Sequence, residues 1–346
     1  MSREQEENIK VAVRIRPIQR NEIKEGDFSC VKPGADGKEV QVKVGPLDAH
    51  VYRCNRCFST DTTQDTFFNE CGITSLLDSA MKGYRTCAFA FGQTGAGKTY
   101  TMIGYPKHGL SVREKLEQTG LIGRSLQYLF NSLNASKVTY SIKFSCTEIF
   151  NEQVFDLFSD DKERAPLAVR EHTTDGFYLE GCKLIDCLNY EVAYAALDAA
   201  VKNRQTGSHD LNQRSSRSHC LIEIHIEIPV VIHEDKMVDG SSSHDIDGTD
   251  SNSNRNNGHD TDDDINGAQE KDIGFMQGQY VTRGKIALVD LAGSERLKST
   301  KSTGKVLQEA GFINKSLYVL GKSSCNKVDV DDGNVNDGYI VHAADE

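Results

Sequence analysis

The segment Gly92 to Thr99, which reads GQTGAGKT, constrains the fold of this 346-residue chain more than any other part of its sequence. Its glycines allow backbone conformations in which successive N–H groups turn inward onto a phosphate. The residues before it, Thr86 to Phe91, have a strand pattern, and those after it, through Met102, predict a helix. This order of strand, loop and helix is what a phosphate-binding loop requires, with Lys98 reaching the terminal phosphates and Thr99 binding magnesium. We therefore predict a nucleoside triphosphate site.

Several other segments have the spacing of strands and helices. Alternating or β-branched stretches predict strands, and apolar residues at helical spacing or a high alanine content predict helices. The predicted strands are Ile9–Ile15, Tyr140–Phe150, Leu221–Ile228 and Arg283–Leu291, and the predicted helices are Leu121–Leu133 and Glu191–Asn203. Residues 151–158 are expected to continue the second of these strands into a turn.

The charge of the chain is unevenly distributed. Its formal net charge is −11, but residues 239–272 contribute −8 and residues 326–346 contribute −5. The rest carries a net charge of +2, so the folded part is close to neutral and has room for a local basic surface. Because residues 239–272 consist mainly of Ser, Asp, Asn and Gly, we predict a disordered acidic insertion over 234–277 and a polar acidic tail over 326–346.

The N-terminal sequence has no apolar core of the kind found in signal peptides. No apolar run approaches the roughly 18 residues that a membrane span needs. We therefore expect a cytosolic protein.

Two further segments have residue types that suit a nucleotide site. An apolar strand that ends in Asp290 can supply a carboxylate that holds magnesium through water, although many strands end in aspartate. The segment Asn212–His219 (NQRSSRSH) is either a polar loop with a helix cap or a switch loop. In a switch loop, a serine hydroxyl would reach magnesium and Arg217 would pair with an acid only when triphosphate is bound.

Together these residues resemble the kinesin motor domain. The motifs that carry the resemblance are RIRP (Arg14, Arg16 and Pro17), GQTGAGKT, TEIFNEQVFDLF (Thr147–Phe158), NQRSSRSH, DLAGSE (Asp290–Glu295) and INKSL (Ile313–Leu317). Their order and spacing agree with the family from about residue 8 to residue 321. The resemblance implies an α/β fold of the three-layer P-loop NTPase type over residues 8–325, with a central, mixed, mostly parallel sheet flanked by helices.

The resemblance also implies a role for each matching residue, with ATP and Mg²⁺ as cofactors. Arg14, Arg16 and Pro17 would flank the adenine, and Gly92, Gln93, Thr94, Gly95, Ala96, Gly97, Lys98 and Thr99 would hold the phosphates. Ser215 and Ser216 would border the γ-phosphate and the metal, which Thr99, Ser216 and, through water, Asp290 would hold. Arg217 and Glu295 would form a salt bridge that closes the site, Gly293 would sense the γ-phosphate, and Glu309 and Asn314 would respond to it.

These roles describe an ATPase that needs no strong base, since phosphoryl transfer to water depends mostly on positioning and charge stabilisation. Loss of the γ-phosphate would relax two loops, and the helix joined to the second loop would move as the mechanical output. A GTPase is disfavoured, because the chain lacks an NKxD motif in a suitable place and carries RIRP before the first loop.

Basic residues follow DLAGSE closely: Arg296, Lys298, Lys301 and Lys305, with Lys315 further on. A run of charges by itself is usually a solvated surface. The resemblance implies that here it contacts the acidic surface of microtubules, and that the protein works in the cytoplasm on the cytoskeleton without binding nucleic acid or inserting into a membrane.

The resemblance ends near Gly321. Kinesin motor domains continue with a strand that lies between the first strand and the strand before the phosphate loop, whereas this chain continues with a polar, acidic sequence. Only Gly338–Ala343 there could make a short strand, and we expect the central position to remain open. Two strand edges would then carry unpaired N–H and C=O groups, each costing about 1–3 kcal/mol if dry. The alternative function is therefore a truncated or splice-derived fragment that binds nucleotide or tubulin without productive motility.

Overall fold

The computed structural model describes residues 9–45, 48–104, 114, 117–159, 165–173, 176–206, 216–230, 280–294 and 338–344. The strands within these residues are β1 (Ile9–Ile15), β2 (Val31–Pro33), β3 (Glu39–Lys43), β4 (Ala49–Arg53), β5 (Arg56–Phe58), β6 (Arg85–Phe91), β7 (Ser141–Phe150), β8 (Gln153–Asp156), β9 (Val169–His172), β10 (Gly176–Leu179), β11 (Ile185–Asp186), β12 (His219–Val230), β13 (Tyr280–Asp290) and β14 (Gly338–Ala344). The helices that we number are α1 (Arg20–Glu25), α2 (Gln64–Glu70), α3 (Ile73–Met81), α4 (Lys98–Met102), α5 (Leu121–Ser136) and α6 (Tyr190–Thr206).

A mixed sheet forms the centre of the described part, in the order β11-β7-β12-β13-β6-β14-β1-β5, with β8 also paired to β7. The strands from β13 to β5 pair in parallel. On the other side, β7 pairs antiparallel with β11, β12 and β8. Strands β2, β3 and β4 form a separate antiparallel sheet, and β9 and β10 form an antiparallel pair. The predicted α/β fold with a mixed central sheet flanked by helices is confirmed.

The helix at α5 shows how the sequence pattern produces the core. Its apolar residues recur every three or four positions, which places them on one face of a helix. That face is buried: Leu121, Ile122, Leu126, Leu129, Phe130 and Leu133 are each at most 2% exposed. Burying a side chain of this size stabilises the fold by about 1.5–3 kcal/mol. The predicted strands and helices are all present, with ends that differ by a few residues.

The end of β7 differs from the prediction in one respect. Asn151 and Glu152 form the expected turn, with φ angles of 51° and 61°. The chain does not stop there but returns as β8, which pairs antiparallel with β7 from Thr147 opposite Asp156 to Phe150 opposite Gln153. The segment is therefore a β-hairpin rather than a strand that ends in a turn.

The central position that we expected to remain open is occupied by β14. This strand pairs in parallel with β1 from Gly338 opposite Ile9 to Ala344 opposite Ile15. It also pairs in parallel with β6, ending at His342 opposite Phe91. The expectation was wrong because backbone groups make the ladder hydrogen bonds, so an extended segment of sufficient length can satisfy both edges. The sequence GYIVHAA contains the aromatic and β-branched types that favour strands.

This placement predicts a large effect of a proline in the middle of β14. Val341 lies opposite both Ala12 and Ala90. The change Val341→Pro removes an N–H from the ladder and is expected to lower the free energy of unfolding by about 3 kcal/mol. Urea denaturation measures this loss, with Val341→Thr as the control because threonine keeps both the N–H and the β-branched shape. Equal stability of the two variants would contradict the placement of β14.

Several predicted segments lie outside the described residues. They are the acidic insertion at 234–277, the tail at 326–346 apart from β14, and residues 295–337. The domain boundaries at 8–325 and 326–346 therefore stay predictions. In the part of the chain that the structure covers, no helix combines the length and apolar character needed to cross a membrane.

Candidate functional site

The phosphate loop and Asp290 meet at one edge of the central sheet. Strand β6 leads directly into Gly92, and β13 ends at Asp290. The two strands are parallel neighbours, and Asp290 lies opposite Ala90. Because parallel strands end at the same edge, the residues that follow them lie close together, where ligands commonly bind in α/β sheets.

The backbone of the loop has a positive φ at all three of its glycines, with Gly92 at 153°. Gly95 and Gly97 have φ angles of 90° and 93°, in a region that other residues rarely adopt. Between them, Ala96 is buried. A change in the sign of φ along successive residues is the backbone arrangement of an anion-binding nest. Gly92–Thr99 therefore contains the change in φ sign that such a nest requires.

The side chain of Lys98 lies within this loop. It is buried, and its Nζ donates hydrogen bonds to the carbonyl oxygens of Gly92 and Gln93, at 2.8 and 2.7 Å. Both acceptors belong to the loop, so its own backbone anchors the ammonium group. A positive charge is thereby held where an anion in the loop would meet it.

Thr99 and Asp290 are hydrogen-bonded to each other beside the phosphate loop. The Thr99 Oγ1 donates to Asp290 Oδ2 at 2.8 Å, and the Asp290 residue is fully buried. Among the described residues, Asp290 Oδ1 is buried and makes no hydrogen bond. A hydroxyl and a carboxylate with a spare oxygen are the ligand types that Mg²⁺ prefers. These residues therefore fit a magnesium ion held directly by Thr99 and through water by Asp290.

Arg204, which the sequence analysis did not identify, holds this carboxylate in place. It lies in the last turn of α6 and is 6% exposed. Its Nη1 donates to Asp290 Oδ2 at 2.8 Å, and its Nη2 donates to the carbonyl oxygen of Ser218 at 3.0 Å. Its Nε lies 4.0 Å from Oε1 of the buried Glu148 on β7. Burial lowers the pKa of Arg204, but the Coulomb interactions with Cys220, Asp290 and Glu148 and the hydrogen bond to Asp290 outweigh burial and raise the pKa overall.

The helical period of α6 carries a signal that could have found Arg204. Ala193, Leu197 and Ala200 are buried at spacings of four and three residues, and Arg204 follows four residues later. Arg204 therefore falls on the buried face of the helix. A charge on a buried face needs an opposite charge beside it.

Three consecutive backbone amides link the loop after β13 to the rest of the site. The N–H of Ala292 donates to His219 Nδ1 at 3.1 Å, and the N–H of Gly293 donates to the carbonyl oxygen of Ser216 at 2.8 Å. The N–H of Ser294 donates to the carbonyl oxygen of Gly92 at 3.1 Å. The segment after Asp290 thus contacts both the NQRSSRSH segment and the phosphate loop.

His219 predicts a pH dependence for this arrangement. Burial is the main reason that its pKa falls from 6.5 to about 4, with the charges of Arg204 and Lys98 adding to the effect. The hydrogen bond from Ala292 also requires an unprotonated Nδ1. The unfolded chain therefore binds a proton near pH 6.5 that the folded chain resists until about pH 4, so stability is lost as pH falls through this window.

Between about pH 6.5 and pH 4, His219 is expected to lower the free energy of unfolding by about 3 kcal/mol. This loss can be measured by comparing urea unfolding of the wild type and His219→Asn from pH 7.5 to pH 4, since asparagine keeps an acceptor near the Nδ1 position but does not titrate. The variant should lose less stability than the wild type as pH falls. His50→Asn, at an exposed histidine, is the control for the chemical change itself, and its pH profile is compared with that of His219→Asn. Parallel slopes for wild type and His219→Asn would contradict this role.

The two arginines of RIRP occupy different environments. Arg14 is buried, donates to Gln64 Oε1 at 2.8 Å, and lies over the rings of Phe67 and Tyr100, 4.8 and 5.1 Å from the centroids. Desolvation lowers its pKa. This arginine braces β1 against α2 and α4. Arg16 is nearer the surface, and its Cβ lies 4.0 Å from the position that a Cβ on Gly97 would take.

The structure describes only some of the other predicted site residues. Ser216 and Arg217 are half-buried, while Pro17, Gln93, Thr94 and Gly95 are exposed. Ser215, Glu295, Glu309 and Asn314 and the basic residues Arg296, Lys298, Lys301, Lys305 and Lys315 lie outside the described residues. The predicted pair of Arg217 with Glu295 and the predicted microtubule contacts therefore stay predictions.

Comparison with known proteins identifies relatives of this chain. The family model described as "Kinesin motor domain" matches residues 14–326. The chain is 32% identical over 313 residues to the kinesin-like protein KIF12 of Mus musculus, and 32% identical over 318 residues to the kinesin-like protein KIN-1 of Oryza sativa subsp. japonica. These alignments cover 90% and 91% of the chain, but 42% and 55% of the two relatives. The chain thus spans about half the length of these curated relatives.

A solved structure has the same fold. It is described as "Structure of a fast kinesin: Implications for ATPase mechanism and interactions with microtubules", and it superposes with a TM-score of 0.72. The match covers 97% of this chain and 85% of the other, at 24% sequence identity.

Proposed function

This chain belongs to the kinesin motor domain family, and on that premise we propose that it is a microtubule-dependent ATPase that uses magnesium. The observation that carries the proposal is the geometry of Lys98, Thr99 and Asp290. The ammonium group lies inside a phosphate-type loop, and the hydroxyl and the carboxylate are hydrogen-bonded beside it. Charge stabilisation and positioning are the main requirements of phosphoryl transfer.

Each group at the site has a distinct part in the proposed reaction. Gly92–Thr99 holds the phosphates, and Lys98 places a positive charge against the terminal ones. Thr99 and Asp290 hold Mg²⁺, which when bound neutralises charge on the phosphate oxygens. Arg14, Arg16 and Pro17 flank the adenine, with Arg14 buried and Arg16 and Pro17 nearer the surface.

The proposed mechanical response to ATP hydrolysis begins at the backbone amides that follow β13. Gly293 is the group that senses the γ-phosphate, while Ser216 borders the metal and Arg217 pairs with Glu295 to position the attacking water. The hydrogen bonds from Gly293 to Ser216 and from Ser294 to Gly92 support this proposal. If the segment after β13 moves, it disturbs both the NQRSSRSH segment and the phosphate loop. Loss of the γ-phosphate then relaxes both loops and moves the helix that follows.

The proposed partner is the microtubule, and the proposed location is the cytoskeleton of the cytoplasm. The basic residues from Arg296 to Lys315 support docking to an acidic surface. Contacts of this kind increase the rate of association and orient the partners, and they weaken as salt is added.

Steady-state ATP turnover of the whole chain, with and without microtubules, tests the proposal. We expect turnover that increases on addition of microtubules, depends on Mg²⁺ and decreases with added salt. The variant Lys98→Ala gives the background rate. No stimulation of a normally folded chain that binds ATP would overturn the motor function.

That outcome would favour the second candidate, a fragment that binds nucleotide or tubulin without productive motility. One observation supports it: the family match ends at residue 326, whereas β14 occupies the centre of the sheet with residues 338–344. The strand next to β6, which leads into the phosphate loop, thus comes from residues beyond the part that the family model matches. Binding of ATP without stimulated turnover distinguishes this candidate from the motor.

A further inference from the structure

The side chain of Arg16 is held by a carboxylate outside the predicted site. Glu22 Oε1 accepts from Arg16 Nη2 at 2.5 Å, and Glu22 Oε2 accepts from Nη1 at 2.8 Å. This pairing uses both terminal nitrogens of the guanidinium group, the geometry that orients an arginine most strictly. The Arg16 side chain is 15% exposed, so the ion pair lies at the surface without being fully solvated.

Glu22 is itself fixed by the local structure. It belongs to the first turn of α1, and its Oε2 also accepts the backbone N–H of Gln19 at 2.6 Å. The hydrogen bonds from Arg16 and from Gln19 lower the pKa of Glu22 to about 2, so the group is a carboxylate at neutral pH.

Helix α1 does not depend on a hydrophobic core, since none of its residues is buried. Its side-chain connection to the end of β1 runs through Glu22 and Arg16. Loss of the Glu22 charge should therefore change the freedom of Arg16 more than the stability of the domain.

The position of Arg16 explains why its orientation matters. It follows β1 directly, and its Cβ lies 4.0 Å from the position that a Cβ on Gly97, in the phosphate loop, would take. With its edge paired to a carboxylate, a guanidinium group still presents its flat face, which stacks on aromatic rings and nucleotide bases. A side chain already held in place loses less conformational entropy when a ligand binds.

We propose that Glu22 is a positioning residue that holds the Arg16 guanidinium against the base of the bound nucleoside triphosphate. This inference rests on the proposed function, because it takes ATP as the ligand. Glu22 acts only on binding of the nucleotide base in this proposal, so binding of the phosphates should not depend on Glu22.

The test compares two probes on the full chain: ATP, and inorganic tripolyphosphate, which has no base. Both are titrated in the presence of Mg²⁺ against the wild type, Glu22→Gln and Glu25→Gln. Glutamine at position 22 keeps an acceptor for the Gln19 N–H but cannot accept from both Arg16 nitrogens as a carboxylate. Glu25 is the matched control because it lies in the same helix, is exposed and loses the same charge.

We expect Glu22→Gln to weaken ATP binding by about 5- to 10-fold, the scale of one side chain's ordering entropy, and tripolyphosphate binding by less than about 2-fold. Glu25→Gln should change neither. In an Arg16→Met background, Glu22→Gln should cause no further loss for ATP, since its effect passes through Arg16.

Other results would overturn the inference in distinguishable ways. Equal weakening for both probes would show a general structural role for Glu22, and unchanged ATP binding would show no role. Additive losses in the Arg16→Met background would show that Glu22 acts by another route. If the wild type bound neither probe, the proposed function would fail together with this inference. Retained tripolyphosphate binding demonstrates that the loop of each variant is folded.

Discussion

Replacing Arg204 with methionine is expected to lower the free energy of unfolding by about 3–5 kcal/mol, the cost of removing one partner from a buried ion pair. Methionine keeps much of the length of the side chain but leaves Asp290 and Glu148 buried without the charge that faces both. It also removes the hydrogen bond to the Ser218 carbonyl oxygen. Urea denaturation at neutral pH measures the loss.

Two variants make this prediction specific. Lys202→Met changes a residue in the same helix whose ion-pair partner, Asp198, has a side chain that is 45% exposed. It should change stability by less than about 0.5 kcal/mol, as is usual for surface pairs. Arg204→Lys keeps the charge but has one ammonium group where two nitrogens are needed, so its loss should be intermediate. Equal stability of Arg204→Met and Lys202→Met would show that Arg204 does not hold the site together.

Replacing Lys98 with alanine is expected to weaken binding of ATP with Mg²⁺ by about 100-fold or more. Removing one partner of a desolvated, hydrogen-bonded charge pair costs about 2–5 kcal/mol, and each 1.4 kcal/mol is tenfold in affinity. Because Nζ also bonds two loop carbonyl oxygens, stability should fall by about 1–2 kcal/mol. Calorimetric titration gives the affinity, and thermal unfolding gives the stability.

Lys82→Ala is the control for this prediction. Lys82 is exposed at the end of α3, so its removal changes the net charge equally without touching the loop. It should leave ATP affinity within about 2-fold, because a single exposed charge contributes little. If Lys98→Ala bound ATP as tightly as Lys82→Ala does, the loop would not be the phosphate site.

The phosphate loop and the strand ending in Asp290 could be predicted because the information is local. Eight consecutive residues specify the loop, and the alternation of β6 specifies the strand before it. The structure adds that Thr99 and Asp290 are hydrogen-bonded although 191 positions separate them. That contact follows from the parallel pairing of β6 and β13, which no short segment encodes.

Arg204 and β14 were harder to predict for different physical reasons. Arg204 carries no motif, and its role depends on acids contributed by β7 and β13. Only the helical period that places it on the buried face of α6 points to it. For β14, the need for a partner comes from the edges of β1 and β6 rather than from the strand itself. The family pattern indicates a missing strand, and Gly338–Ala343 has strand character, but nothing in its sequence shows that it takes the central position.

We propose that the central sheet assembles a magnesium nucleotide site at Gly92–Thr99 and Asp290. Equilibrium titration of the wild-type chain with ATP, with and without Mg²⁺, tests it most directly. We predict saturable binding of one ATP per chain that weakens when Mg²⁺ is removed. A chain that unfolds cooperatively, and is therefore folded, but binds no ATP in the presence of Mg²⁺ would contradict the claim.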